Sequence, residues 1–146
     1  MNILLLGATG DLGSRVVPAL LSHSHKVTVL VRSKHKLLLM MPPSIFNHIT
    51  VAEGDATDST LIANLLRERH IDDMVNAAGH ARLIWWPWWE ENRMAGIVRA
   101  SVEAVGAVAE ESGRSRPLRA WFVGGMLLMD LPGSGTASET GKTLGH

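Results

Sequence analysis

The chain has 146 residues, with no cysteine and no tyrosine, and its 14 basic and 14 acidic side chains cancel. That length suits one domain with a real core, and an apolar share of 46% against 19% charged excludes a disordered polar chain. Without cysteine there is no disulfide, thiolate metal site or cysteine nucleophile, and zero net charge gives no general attraction to nucleic acid or to an anionic membrane.

Residues 3–6 are a continuous apolar run halted by Gly7, the pattern of a central parallel strand buried on both faces. A helix follows, with Leu12, Val16, Val17, Leu20 and Leu21 on one stripe and Pro18 placed to bend it. Residues 27–31 are β-branched and predict a second strand. Residues 34–41 predict a short helix that Pro42 and Pro43 end. Residues 49–52 form a third strand, and Asp58 is placed to cap a helix reaching Arg69, with Leu61, Ile62, Leu65 and Leu66 inward. Residues 74–79 give a fourth strand that runs into a turn. The longest helix covers 90–112, with Met94, Ile97, Val98, Val102, Val105, Val108 and Ala109 as its apolar face. A fifth strand over 118–123 ends at Gly124 and Gly125.

Strands alternating with helices at this spacing imply an α/β fold: a three-layer, Rossmann-like parallel sheet of about five strands with helices on both faces. The domain occupies residues 1–130. The Gly-, Ser- and Thr-rich residues 131–146 read as a loop or disordered tail. No apolar run approaches the roughly 20 residues of a membrane helix. Residues 1–6 also lack the basic start of a signal peptide. The expectation is a cytoplasmic protein with neither a membrane nor a nucleic-acid partner.

Gly7-Ala8-Thr9-Gly10-Asp11-Leu12-Gly13 sits between the first strand and its helix. In that context the first glycine turns the chain sharply, the second admits a diphosphate to the backbone, and the third lets helix and sheet pack closely. The helix start faces the phosphates with unpaired amides and the positive end of its dipole. At the end of the second strand an acidic residue would accept ribose hydroxyls and select NAD. Here Val31 is followed by Arg32-Ser33-Lys34-His35-Lys36, a cationic run suited to a 2′-phosphate, so NADP(H) is expected in preference to NAD(H).

Together with Gly54-Asp55, Asn76-Ala77-Ala78-Gly79 and Val123-Gly124-Gly125, these motifs make the chain resemble the short-chain dehydrogenase/reductase superfamily, in its extended or atypical, NmrA-like branch. The resemblance implies that Asp55 and Ala56 border the adenine, and that Ala77, Ala78 and Gly79 line the path toward the nicotinamide. For Asp55 a turn-forming role after Gly54 stands beside this one, and for Asn76 a side chain tying neighbouring loops together. The superfamily's Tyr-x-x-x-Lys pair has no tyrosine to draw on. Gly124, Gly125 and Met126 stand where its serine is usual. The superfamily's fold also continues past a fifth strand, so the resemblance implies that its C-terminal part is missing here.

Trp85, Trp86, Trp88 and Trp89 follow the fourth strand, where they could wall a flat apolar substrate or form a hydrophobic plug. His80 stands at the mouth of the same region as a candidate acid or base, with Glu90, Glu91 and Asp130 as further candidates. His23 and His25 lack a third ligand at useful spacing, so no metal is expected. The uncovered apolar face of the longest helix suggests a homodimer. The function expected is that of an NADP(H)-dependent oxidoreductase-like protein for a small apolar organic compound, such as a secondary metabolite. A non-redox isomerase, dehydratase or cyclase using His80 or a carboxylate stands beside it. So does a non-catalytic protein that senses nucleotide or binds a partner.

Overall fold

A computed structural model describes residues 1–78, 93–111 and 116–123. In chain order the elements are β1 (Asn2–Leu6), α1 (Asp11–Ser22), β2 (Lys26–Val31), α2 (Lys34–Met40), α3 (Pro43–Phe46), β3 (Ile49–Glu53), α4 (Ser59–Glu68), β4 (Asp73–Asn76), α5 (Arg93–Ala109) and β5 (Arg119–Phe122). The five strands form one parallel sheet in the order β3-β2-β1-β4-β5. This is the expected α/β Rossmann-like architecture.

β1 lies at the centre, and its residues divide between the two faces as alternation requires. Leu4 and Leu6 pack with Leu30, Ile62, Leu66, Ala104 and Val108 beneath α4 and α5. Leu5 packs on the other face with Val17, Val29, Val31 and Leu37 beneath α1 and α2. A strand sealed on both sides needs no polar position, which is why residues 3–6 are uniformly apolar. From β1 the chain order steps outward to β2 and β3 on one side and to β4 and β5 on the other. The carboxyl ends of the strands therefore open a crevice where the order reverses.

Asp58 caps α4 as expected, its Oδ1 accepting from the Leu61 amide at 3.0 Å. Asp58→Ala should lower stability by about 1 kcal/mol, read as a fall in thermal midpoint. An unchanged midpoint would remove the cap from the account.

Two expectations about the helices need correction and a third is extended. Pro18 lies inside α1, which runs from Asp11 to Ser22. Leu12 points outward, and α1 meets the sheet through Gly13 and Val17. The proline pair ends α2 but also opens α3, with Pro43 in the first turn, where its missing N–H costs nothing. On α5 the inward side is built from Ala100, Ser101, Ala104 and Val108, while Val98, Val102 and Ala109 face out. Small residues let α5 lie close on its neighbours, so a reading weighted by side-chain bulk rotates the stripe. Expectations for Gly79, His80, the four tryptophans, Glu90, Glu91, Gly124, Gly125, Asp130 and the tail fall outside the described residues.

Among the described residues no helix is long and apolar enough to cross a membrane.

Candidate functional site

The turn between β1 and α1 is held by backbone. Gly10 donates its amide to the Gly7 carbonyl at 3.0 Å, and the Ser14 amide donates to the Gly10 carbonyl at 2.9 Å. Gly7 has φ +83°, a conformation L side chains rarely adopt. A Cβ on it would lie 2.5 Å from the Ala78 amide nitrogen. A Cβ on Gly13 would lie 2.0 Å from the Gly7 carbonyl oxygen. The turn is thus wedged under the end of β4 on one side and over the first turn of α1 on the other. Gly10 is the N-cap of α1, and as a glycine it brings no side chain to cap the helix. Its first-turn amides are left to a ligand or to water.

A cleft of about 290 Å³ opens above this turn. Gly7, Thr9 and Gly10 form its floor, Val31, Arg32 and Lys36 one side, and Gly54, Asp55 and Ala56 the next. Ala78 stands at the end of β4, and Arg93, Met94 and Ile97 close the far side from α5. Thus five segments distant in sequence meet at the carboxyl end of the sheet.

Of the residues singled out from sequence, Gly7, Thr9, Gly10, Arg32, Asp55, Ala56 and Ala78 line the cleft. Gly13 is buried beneath Gly7, and Ala77 belongs to the core under α1 and α2. Asp11 and Leu12 are exposed and are not part of the lining.

Asn76 takes the structural role. Buried at the end of β4, it accepts from the Ala78 amide at 3.1 Å and donates to the Ser101 hydroxyl at 3.4 Å. It fixes the backbone at Ala78 and ties the end of β4 to α5.

The sequence reading missed Arg93 and the wall formed by Met94 and Ile97, and did not separate Lys36 from its neighbours in the cationic run. The apolar periodicity of α5 included Met94 and Ile97, but nothing in spacing says which cleft they face. Arg93 gave no signal at all.

Charge in the cleft is unevenly paired. Arg93 donates to Asp55 Oδ2. The other carboxylate oxygen of Asp55 accepts from the Thr57 amide at 3.0 Å and from the Thr57 hydroxyl at 2.9 Å. The Thr57 amide first, and then the Thr57 hydroxyl and Arg93, hold the Asp55 carboxyl below its usual pKa against an opposing desolvation second in size to the Thr57 amide. Arg32 and Lys36 have no carboxylate partner among the described residues. Among the described residues they stand as two unpaired cations beside the turn. Among the described residues no three histidine or carboxylate side chains converge as a metal site.

Three comparisons bear on this geometry. The model of the NAD dependent epimerase/dehydratase family matches residues 3–127. A UDP-glucose 4-epimerase from Neisseria meningitidis is 31% identical over 81 residues, covering 53% of this chain and 24% of that protein. Among solved structures, dTDP-glucose 4,6-dehydratase from Bacillus anthracis in complex with NAD superposes with a TM-score of 0.60 at 18% identity, over 92% of this chain and 40% of that one. The leucoanthocyanidin reductase–NADPH complex from Vitis vinifera gives 0.53 at 23% identity, over 74% and 30%. At these identities the two structures share the fold with this chain. The chain spans about a quarter of the curated relative's length.

Proposed function

The chain belongs to the NAD-dependent epimerase/dehydratase family, and we propose that it binds NADP(H) at the carboxyl end of its sheet and serves the oxidation or reduction of a small apolar organic compound. The observation that carries this reading is the glycine turn. Gly7 and Gly13 leave no room for a side chain, so backbone amides form the cleft floor at the start of an uncapped helix. Such a floor suits a diphosphate, whose oxygens accept hydrogen bonds and whose charge the helix dipole favours.

The rest of the cleft fits a dinucleotide of the phosphorylated kind. Arg32 and Lys36 would meet the 2′-phosphate as charge-assisted donors, Arg32 with a planar fork and Lys36 as a point charge. Leu30, Ala56, Met94 and Ile97 offer an apolar slot for the base, with Asp55 at its rim. Bound here, the nicotinamide would supply the hydride chemistry, and the protein would bind and orient it. With no tyrosine in the 146 residues, a Tyr-x-x-x-Lys proton donor is not available from this sequence. His80 is the residue we assign to that task, and Trp85, Trp86, Trp88 and Trp89 to the substrate wall.

A second reading has its own support. The matching family and the curated relative are described by epimerisation and dehydration. An isomerase or dehydratase that retains the cofactor therefore stands beside a simple reductase.

Titration with NADPH and NADH, followed by quenching of tryptophan fluorescence, tests the proposal. NADPH should bind at least about tenfold more tightly, a difference of about 1.4 kcal/mol. Equal affinities would discard the 2′-phosphate assignment. Failure of both nucleotides to bind would discard the dinucleotide reading.

A further inference from the structure

We propose that the outer surface of α2 docks the protein on a bilayer that carries anionic lipid, with Leu38, Leu39 and Met40 entering the headgroup region and Lys34 and Lys36 meeting the anionic headgroups. The inference stands apart from the dinucleotide reading, because it concerns an outer surface and not the cleft.

The zero net charge of the chain is the sum of two unlike parts. Asp11 is the only acidic residue before Glu53, and Arg15, Lys26, Arg32, Lys34 and Lys36 all fall between the two. The rest of the chain holds 9 basic side chains against all 14 acidic ones. The fold turns this asymmetry of sequence into one of space. Helices α1, α2 and α3 cover one face of the sheet through Val17, Leu37, Ile45 and Phe46, while α4 and α5 cover the other. The first layer therefore presents Arg15, Lys34 and Lys36, all exposed, against Asp11 alone. None of these three cations has an ion-pair partner among the described residues.

The same layer carries an apolar tip. Leu37 and Met41 are buried and anchor α2 to the sheet, and Ser33 fixes the start of the helix by accepting from the Lys36 amide at 3.2 Å. On the outside Leu38 is 49% exposed, Leu39 74% and Met40 47%. A single exposed leucine is ordinary. Three consecutive apolar side chains left in water on a seven-residue helix oppose solubility and point to a use. Pro42 and Pro43 follow, also exposed.

The combination decides the occupant. Nucleic acid would satisfy the cations and leave two leucines and a methionine in water. An apolar groove on another protein would take those side chains and give no part to a layer so poor in carboxylates. The surface of an anionic bilayer takes both, since apolar side chains enter the headgroup–acyl boundary while the headgroups neutralise lysine. With seven residues α2 is far short of the roughly 20 that span a membrane, so the protein would lie on the bilayer.

The test uses the full chain with vesicles of phosphatidylcholine alone and of phosphatidylcholine mixed with phosphatidylserine, read by co-sedimentation. Partition onto the phosphatidylserine vesicles should exceed that onto the neutral ones by at least about tenfold, from two or more cations at about fivefold each, and should fall as salt rises. Lys34→Gln, outside the cleft, should lower it about fivefold. Leu38→Ser combined with Leu39→Ser should lower it at least about tenfold. Val102→Ser, at a comparably exposed position on the opposite layer, should leave it unchanged. Because the chain has no cysteine, a single fluorophore on Leu39→Cys reports the contact directly. Its emission should shift to the blue on phosphatidylserine vesicles, and that of the same label on Val102→Cys should not. Melting curves accompany each variant, and if the double serine variant fails to fold, Lys34→Gln and the labelled chains decide. No partition onto either vesicle, equal partition onto both, or equal effects of the leucine and valine substitutions overturns the inference. Binding to duplex DNA without binding to vesicles overturns it as well, and would make this layer a nucleic-acid surface.

Discussion

Gly13→Ala should abolish dinucleotide binding, weakening it by at least about 100-fold, and should cost about 3 kcal/mol of stability. The added methyl would sit 2.0 Å from the Gly7 carbonyl oxygen and 2.7 Å from its carbon. Both are backbone atoms, so no flexible side chain can give way. Relief requires α1 to withdraw from β1, which opens the contact made by Val17 with Leu5 and Val29. The same withdrawal carries the first-turn amides away from the cleft floor. Two alanine controls separate these effects. At Gly10 the Cβ would meet only the Gly7 oxygen, at 3.3 Å, so Gly10→Ala should fold nearly normally and lose binding by crowding the phosphate path. At Gly106, within α5, nothing lies within 4 Å. Gly106→Ala should leave binding unchanged and raise stability by about 0.5–1 kcal/mol, the helix preference of alanine over glycine. Binding and melting measured on the three variants check the prediction. Full affinity in Gly13→Ala would contradict it.

Replacing Arg32 and Lys36 together by Gln should weaken NADPH about 100-fold and NADH by less than about threefold. Each charge-assisted hydrogen bond to a phosphate contributes on the order of 1.5 kcal/mol or more, and two such contacts reach about 100-fold at about 1.4 kcal/mol per decade. Arg93 cannot substitute, because Asp55 already holds it. Lys34 and His35 belong to the same cationic run but do not line the cleft, so neutralising them should leave the preference standing. Since Arg32 and Lys36 are exposed, raising salt should erode the native preference for NADPH. Equal losses for both nucleotides would show that these cations serve binding in general and not the 2′-phosphate.

The parts of the fold that could be read from sequence are those governed by local rules. The run at residues 3–6 could only be a strand buried on both faces, and Asp58 declared the start of α4 by its own hydrogen bond. The glycines at 7 and 13 were legible because each answers a steric demand that no other residue meets, and Gly10 by its spacing between them. What failed depends on how elements cross. Leu12 looked like core from its spacing, yet Gly13 draws the helix so close that Leu12 is turned out. Val98 and Val102 looked like core by size, yet Ala100, Ser101 and Ala104 make the contact. The far wall of the cleft was invisible for the same reason. Arg93 meets Asp55 only after α5 has packed against α4, and no spacing within either segment encodes that meeting.

The claim on which the rest depends is that backbone amides of the glycine turn grip an anionic dinucleotide. Amide chemical shifts of the isotopically labelled chain, followed during titration with NADPH, test it directly. The largest changes should fall on the amides of residues 7–13, with smaller ones at Arg32, Lys36 and Asp55. Saturation by NADPH with the glycine-turn amides unmoved, or no shifts anywhere at millimolar nucleotide, would contradict the account.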